Sequence, residues 1–216
     1  MLARKLTAAS ARAAVAPWWL AGGAPEPVAV YQPIGAASLA ASYVNLANPG
    51  VFDAAPGVAP TFSAVTGWGF NGTTQYLTTG VVPSSSYTII VRVMGVSNAG
   101  YAIGQFTSNR NIAIAPQGGT GQVTRWLYGF QSHNHTSGTP DGTIGLAAGN
   151  RYVNGAGAGS FSTVTFTATR ALFVGAINNV DPFLLMSGNI QAIAIYDTST
   201  DHAVWVPAVS AAMAAL

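Results

Sequence analysis

The sequence contains no cysteine and very few charged residues. Among 216 residues, Asp, Glu, Lys and Arg together make up 6%, whereas about 25% is typical of soluble domains. The absence of thiols excludes a disulfide framework and a zinc–thiolate site, so burial and backbone hydrogen bonds must hold the fold together. Low charge also gives little repulsion between copies, which favours a homo-oligomer or repeated copies within an assembly.

Acidic residues are especially scarce, and this limits the chemistry that the chain can perform. Glu26 is the only glutamate, and the five aspartates are scattered without paired spacing. A glycoside hydrolase needs two carboxylates that flank the scissile bond, so we predict that the protein is not an enzyme. The eight cations are too few for a broad phosphate-binding surface, and we predict no nucleic-acid binding. No apolar run approaches the roughly 20 residues that span a bilayer, so we predict no membrane span.

The first 27 residues differ in composition from the rest of the chain. Their cations precede any acid, and Leu2, Leu6, Ala9 and Ala13 have helical spacing up to Pro17. We predict an anchor helix over residues 2–16 and a stiff Gly/Pro-rich connector up to residue 27. The predicted attachment residues are Arg4, Lys5, Arg12, Trp18 and Trp19.

Two alternatives remain open for this segment. A basic, acid-free N-terminus is also typical of a targeting signal, although Arg12 interrupts what would be its apolar region. The two tryptophans could instead cover an edge of the following domain, since exposed apolar clusters usually have a partner. Under the anchor interpretation we expect residues 1–24 to be dispensable for closing the core.

From Val28 to Leu216 the sequence alternates short extended runs with Gly, Pro, Asn and Ser. In "YTIIVRV", Ile89, Val91 and Val93 share one face opposite Thr88 and Arg92, as in a half-buried strand. "VTFTATR", residues 164–170, shows the same alternation and is predicted as another strand. Further strands are predicted at Asn111–Ala115, Arg125–Phe130, Tyr152–Val153, Ala171–Ala176 and Ile190–Tyr196. So many strands predict an all-β fold with two packed antiparallel sheets.

Two local patterns complete the predicted fold. The stretch "GWGFNGTTQYLTTG", Gly67–Gly80, combines aromatic residues with an Asn71-Gly72 turn and is predicted to form a β-hairpin. The C-terminal tail is predicted to be a helix that covers a sheet, with Thr200 or Asp201 as its cap and Pro207 in its first turn. Its apolar face would contain Trp205, Val209, Met213 and Leu216.

The order of several segments resembles the laminin-G-like, concanavalin-A-type jelly rolls. The segments are "YQPIGAASLAASYVNLANPG", "GWGFNGTTQYLTTG", "SYTIIVRV", "RYVNG", "LFVGAINN" and "GNIQAIAIYDTSTD". The resemblance covers about Val28–Leu216 and implies core positions for Trp68, Phe70 and Tyr76. The opening "PWWLAGG" before such a domain also resembles structural proteins of tailed bacteriophages.

Metal binding has two candidate locations. Laminin-G-like domains often bind calcium, and the resemblance makes Asn178, Asn179 and Asp181 weak calcium candidates because "INNVDP" concentrates hard oxygen donors. The alternative is that the two asparagines only form a left-handed turn, and we expect metal to be dispensable for folding. His133 and His135 are interpreted as residues of an exposed polar loop rather than as metal ligands.

Two classes of function follow. The first is a non-enzymatic structural or adhesive component of a bacteriophage virion, attached to other virion proteins by its N-terminal segment and displaying the jelly roll toward a surface glycan. The second is an exported, lectin-like carbohydrate-binding module, secreted or at the cell surface, whose first residues are a targeting signal.

Overall fold

A computed structural model of the chain describes residues 16–118 and 123–216. The predicted helix over residues 2–16 lies almost entirely outside the described residues, as do Arg4, Lys5 and Arg12. A 3-10 helix at Trp18–Gly23 is followed by strands, a short helix α1 at Leu39–Ser42 and a C-terminal helix α2 at His202–Ala214. No helix within the described ranges is long and apolar enough to cross a membrane.

Seventeen strands make up the rest of the regular structure described. They are β1 (Ala29–Tyr31), β2 (Ala55–Val58), β3 (Thr61–Ser63), β4 (Gly67–Asn71), β5 (Tyr76–Thr78), β6 (Thr88–Met94), β7 (Ile103–Gln105), β8 (Asn111–Gly118), β9 (Val123–Gly129), β10 (Gln131–Asn134), β11 (Gly142–Ala147), β12 (Asn150–Val153), β13 (Ala156–Ser160), β14 (Phe173–Val174), β15 (Ile177–Asn179), β16 (Asp181–Phe183) and β17 (Ser187–Tyr196).

The strands form two face-packed sheets, which confirms the predicted all-β sandwich. The eight-stranded sheet has the order β13-β12-β11-β6-β17-β4-β3, with β1 also paired to β17. The nine-stranded sheet has the order β10-β9-β8-β7-β14-β5-β2, and the hairpin β15–β16 attaches beside β7. The pairs are antiparallel except that β15 runs parallel to β7, through Asn178 and Gln105.

The main core lies between the two sheets and follows the period-2 alternation of the sequence. Ile89, Val91 and Val93 of β6 point into it, as predicted, and meet Ile112 and Trp126 from the opposite sheet. All five side chains are almost completely buried. Because the alternate positions of each strand point outward, each sheet also has an outer face, and the two outer faces are used differently.

Helix α2 covers the outer face of the eight-stranded sheet. Trp205 is 2% exposed and packs on Tyr196 of β17, with ring centroids 4.7 Å apart. Val209 and Met213 are buried on the same helix face, as predicted. On the sheet below, Arg92 donates a hydrogen bond to the Met213 carbonyl at 2.9 Å, a favourable position for a cation at a helix C-terminus. Both faces of β6 and β17 are therefore buried.

The ends of α2 differ from the prediction in three details. Asp201 is the N-cap, but its backbone is left-handed (φ 54°) and its side chain makes no capping hydrogen bond. Pro207 is the sixth helical residue rather than part of the first turn, because the helix begins at His202. Leu216 lies beyond the helix end and is 39% exposed, so it does not belong to the packed face.

The N-terminal 3-10 helix packs against α2 instead of standing apart from the domain. Trp18 and Trp19 are half-buried in the apolar cluster beneath and beside α2. Trp18 Nε1 donates to Gln32 Oε1 at 2.7 Å, and Tyr196 Oη donates to the Trp19 carbonyl at 2.8 Å. Residues 18–23 therefore contribute to packing, which differs from our expectation that residues 1–24 are dispensable for the core.

The predicted hairpin at Gly67–Gly80 is wrong. Strand β4 belongs to the eight-stranded sheet, whereas β5 belongs to the nine-stranded sheet, so the segment crosses between sheets. Asn71 shapes the crossing because its Oδ1 accepts hydrogen bonds from the backbone N–H groups of Thr73, Thr74 and Gln75. The side chain thus stabilises a wider loop than the two-residue turn of a hairpin.

Two further expectations for individual segments need correction. Residues 164–170 keep the predicted alternation, with Phe166 and Ala168 buried, but they form only an isolated bridge through Thr167 and no strand. Trp68 is a core residue, as predicted, whereas Tyr76 is half-buried on the outer face of the nine-stranded sheet and packs on Phe173. Its neighbour Leu77 takes the inward position.

Candidate functional site

The outer face of the nine-stranded sheet carries a pocket of about 190 Å³. It lies on the side of the molecule opposite the sheet that α2 covers. Aromatic and aliphatic side chains dominate its lining, and one guanidinium and one amide accompany them. The lining residues are Tyr101, Phe106, Arg125, Leu127, Ile177, Asn179, Phe183 and Leu184.

Small residues of β8 lie beside three of the residues that line this pocket. Along β8, Ile112 and Ile114 point into the core, so Ala113 and Ala115 point outward. These alanines form a small buried cluster with Tyr101, Leu127 and Ile177. The alanines themselves are completely buried, so the larger side chains of Tyr101, Leu127 and Ile177 line the pocket at this place.

The rim is built by the β15–β16 hairpin and by the segment that follows β7. Phe183 is 53% exposed and Leu184 is 43% exposed. Phe106, just after β7, is 37% exposed and also lines the pocket. Val180 turns the hairpin with a positive φ of 74° and is also largely exposed. Exposed apolar groups concentrated around one depression mark a ligand or partner site more often than scattered ones do.

Polar groups of the pocket have defined positions. Arg125 Nε donates to Ser132 Oγ on the neighbouring strand β10 at 2.9 Å, which orients the guanidinium. Burial raises the pKa of the Tyr101 phenol, and the positive charge of Arg125 partly offsets this rise. Tyr101 therefore stays a neutral hydroxyl at physiological pH. The pocket combines aromatic surface with an oriented cation and polar hydrogen-bonding groups.

Arg170 connects the two sides of the rim. Its Nη1 donates to the Phe106 carbonyl at 2.6 Å and to Asn179 Oδ1 at 3.2 Å. The Asn178 carbonyl accepts from the Phe106 N–H at 2.8 Å, which adds a backbone link between the same segments. Arg170 is thus a positioning residue for Phe106 and Asn179.

The three calcium candidates occupy this hairpin but do not converge as ligands. Asn178 is buried and its Nδ2 donates to the Ala171 carbonyl at 2.9 Å. Asn179 offers its Oδ1 to Arg170, and Asp181 is exposed on β16. The predicted alternative, a left-handed turn made by the two asparagines, is wrong, because Val180 adopts the positive φ while both asparagines belong to β15. Calcium binding by these residues stays a prediction.

We expect calcium to contribute nothing to stability, because the Arg170 guanidinium already bonds to one of the few oxygen donors that a dication would need. Removing divalent cations with EDTA should leave the melting temperature unchanged within about 1 °C, measured by differential scanning fluorimetry. A clear loss of melting temperature that calcium restores and magnesium does not would contradict this prediction.

The histidines are placed differently from the predicted loop. His133 lies in strand β10, paired with Trp126, and His135 follows the strand end. Both lie beside aromatic residues: the His135 ring is 6.1 Å from that of the buried Trp126, and the His133 ring is 6.3 Å from that of the partly buried Phe161. Within residues 16–118 and 123–216, no group of three His, Cys, Asp or Glu side chains could hold a metal ion.

Sequence reasoning identified only Asn179 among the pocket residues, and it did so as a calcium candidate. Trp18 and Trp19, the described attachment candidates, lie beside α2 on the other sheet and do not line the pocket. Their attachment role stays a prediction. One signal for the pocket was present in the sequence, because Phe183 and Leu184 follow the polar run "NNVDP" at a place where a turn is expected.

Comparisons with known proteins show similarity in fold. No protein-family model matches the sequence, and no curated protein matches it. Domain 4 of AbnA, an extracellular GH43 arabinanase from Geobacillus stearothermophilus solved in complex with arabinotriose, is similar with a TM-score of 0.59 and 17% identity, over 86% of this chain and 98% of that one. Trypanosoma rangeli sialidase bound to 2,3-difluoro-KDN gives a TM-score of 0.57 and 11% identity, over 88% of this chain and 33% of the sialidase.

A mutant of the same sialidase that displays trans-sialidase activity gives a TM-score of 0.54 at 12% identity and covers 87% of this chain. The chain thus spans nearly all of the arabinanase domain but about a third of the sialidase chains. At these identities the similarity concerns the fold alone. It agrees with the predicted two-sheet sandwich, and it gives no support to the resemblance to bacteriophage proteins.

Proposed function

We propose that the protein is a carbohydrate-binding, lectin-like module that holds a glycan in the pocket on its nine-stranded sheet. The observation that carries this proposal is the pair of exposed aromatic side chains, Phe106 and Phe183, that line a small depression. This function corresponds to the second class predicted from the sequence, a non-enzymatic binding module. The absence of a paired-carboxylate motif supports binding without hydrolysis.

The chemistry of the pocket suits a sugar ring. A pyranose or furanose has apolar C–H groups on its faces and hydroxyls at its edge, so it needs apolar contact and directional hydrogen bonds together. Phe106, Phe183 and Leu184 provide apolar surface, while Tyr101 and Asn179 can donate and accept hydrogen bonds. A volume of 190 Å³ is below the roughly 300–1,000 Å³ of pockets for drug-sized ligands, which fits one or two sugar units.

The solved structures support the same ligand class. The arabinanase domain, which has a similar fold over nearly its full length, was solved with arabinotriose, an oligosaccharide. The sialidases also act on sugars, but this chain spans only about a third of them. Fold similarity makes carbohydrate binding a reasonable hypothesis, but the evidence for this chain must come from the side chains of the pocket.

The virion interpretation stays a prediction. It depends on the opening "PWWLAGG" and on the low charge of the chain, and localisation to a virion, to the cell surface or outside the cell is equally a prediction. A displayed glycan-binding sandwich is compatible with each of these locations, so the glycan experiment does not depend on choosing between them.

Replacing Phe183 with Ser should weaken glycan binding at least tenfold, because the substitution removes aromatic surface from the rim. The free energy of unfolding should change by no more than about 0.5 kcal/mol, since Phe183 is a surface residue. A glycan array identifies binding sugars, and calorimetric titration of arabinotriose and of the strongest array sugar gives dissociation constants for the wild type and the variant.

Phe130→Ser is the matched control. Phe130 is also an exposed phenylalanine, 67% accessible, but it lies between β9 and β10 and does not line the pocket. Its substitution should leave the dissociation constant unchanged. Any of three results would overturn the proposed site. The array could give no signal above background, the wild type and Phe183→Ser could bind the glycan equally, or Phe130→Ser could lose as much affinity as Phe183→Ser.

A further inference from the structure

We infer that the glycan recognised by this pocket carries a carboxylate and that Arg125 binds that group. The inference rests on the proposed glycan-binding function and specifies its ligand class. A carboxylated sugar, such as a uronic acid or a sialic acid, presents a planar anion beside hydroxyls and apolar ring faces. A guanidinium matches this anion with two parallel N–H···O bonds.

The charge of the pocket is one-sided. Arg125 is the only charged residue of the eight that line it. The Arg170 guanidinium lies at the rim, where it bonds to the Phe106 carbonyl and to Asn179. The opposing charge on this hairpin is Asp181, an exposed residue on β16 paired with Asn179 across the hairpin. Two cations against one exposed carboxylate leave this end of the sheet with an excess of positive charge.

The position of Arg125 suits it to bind an anionic group of a ligand rather than only water. Its side chain is partly buried, and its Nε is committed to Ser132 Oγ. Among the described residues no side chain or carbonyl accepts from its Nη groups, so those donors are available to a ligand. A hydrogen bond to an ionised acceptor is roughly twice as strong as a neutral one, and partial burial beside Tyr101 and Leu127 reduces the screening of the charge.

Neutral sugars would make weaker interactions with Arg125 than carboxylated sugars. Their hydroxyls could accept one hydrogen bond from Arg125, but they would leave its charge uncompensated after the ligand had displaced water from the pocket. A carboxylate meets that charge directly. The carboxylate therefore determines which sugars bind tightly, while Phe183 and Phe106 determine that a ring can bind at all.

Trigalacturonate and its fully methyl-esterified form provide the test, because they share one sugar skeleton and differ in charge. The experiment titrates both into the full-length protein and into Arg125→Gln, Arg125→Lys and Arg110→Gln, and follows binding by calorimetry. The wild type should bind the acid at least tenfold more tightly than the ester, and the preference should shrink as salt concentration rises. Arg125→Gln should bind the acid and the ester equally, and Arg125→Lys should keep part of the preference for the acid. Arg110 is exposed and does not line the pocket. The Arg110→Gln variant should therefore keep the full preference.

Equal binding of the acid and the ester by the wild type would overturn the inference and leave glycan binding intact. Binding of arabinotriose without any binding of trigalacturonate would have the same meaning. A preference for the acid that survives in Arg125→Gln would assign the carboxylate to another cation and also overturn it. If no glycan binds at all, the proposed function itself falls. Melting temperatures of all four proteins confirm that each variant is folded.

Discussion

Replacing Trp205 with Ala should lower the free energy of unfolding by about 3–5 kcal/mol, the usual cost of truncating a buried large aromatic side chain. Trp205 is 2% exposed and packs on Tyr196 of the central strand β17. Its Nε1 donates to the Thr200 carbonyl at 2.8 Å, just before the helix begins. The substitution would open a cavity beneath α2 and remove the bond that fixes the start of the helix.

Chemical denaturation followed by tryptophan fluorescence or circular dichroism measures this loss. For a chain of this length each kcal/mol shifts the melting temperature by roughly 2–4 °C, so a decrease of about 6–20 °C is expected. Val204→Ala is the control, because its side chain is 69% exposed on the same helix and should cost no more than about 0.5 kcal/mol. A similar, small effect of both substitutions would contradict the packing of α2 on the sheet.

Strand positions were predictable where burial alternates along a single strand. The two-residue period in β6 gave the correct inward set, Ile89, Val91 and Val93, because each residue type matches the face on which it lies. The same rule also detected the burial of Phe166 and Ala168 but not their lack of sheet partners. Alternation reports which side chains are buried, whereas strand pairing depends on distant segments of the chain.

The Gly67–Gly80 segment shows the same limit more clearly. A hairpin and a crossing between sheets can share aromatic flanks and an Asn-Gly pair, since both need a residue with positive φ. Here Gly72 has a φ of 74°, but β4 pairs with β17 and β5 pairs with β14. These partners lie about a hundred residues further along the chain, so local sequence could not distinguish the two outcomes.

The candidate site could hardly be predicted from the sequence, because it too depends on the pairing of distant segments. Its residues come from the segments on either side of β7, from β9, and from the β15–β16 hairpin with the residue that follows it, and they are separated by up to about 80 positions. The parallel pairing of Asn178 with Gln105 brings the hairpin beside β7. Each pocket residue is ordinary in its own segment, and only the sheet order places Arg125 beside Tyr101 and Phe183.

Deleting residues 1–24 should destabilise the domain by about 3 kcal/mol. The deletion removes two half-buried tryptophans from the cluster around α2, each contributing on the order of 1 kcal/mol. It also removes the Trp19 carbonyl that accepts from Tyr196, a hydrogen bond of about 1 kcal/mol. Thermal unfolding of the truncated protein should therefore show a melting temperature lower by about 6–12 °C, with the β-sheet circular dichroism signal retained at low temperature.

A pair of glycine substitutions tests whether this loss comes from contact with α2. Gly22 and Gly23 both have positive φ, 68° and 77°, so alanine strains the backbone at both positions. A Cβ at Gly22 would lie 2.5 Å from the Ala208 Cβ, whereas a Cβ at Gly23 would meet nothing within 4 Å. Gly22→Ala should consequently be less stable than Gly23→Ala by about 1–3 kcal/mol, the typical cost of overpacking.

Two results together would show that the 3-10 helix does not pack on α2 in solution. The two glycine variants would have equal melting temperatures, and deletion of residues 1–24 would leave the melting temperature unchanged. Trp18 and Trp19 would then be free to attach the protein to another subunit. The expected difference between the variants instead means that these tryptophans stabilise the domain from which they were predicted to project. An attachment role for them would have to use the parts of their rings that remain exposed.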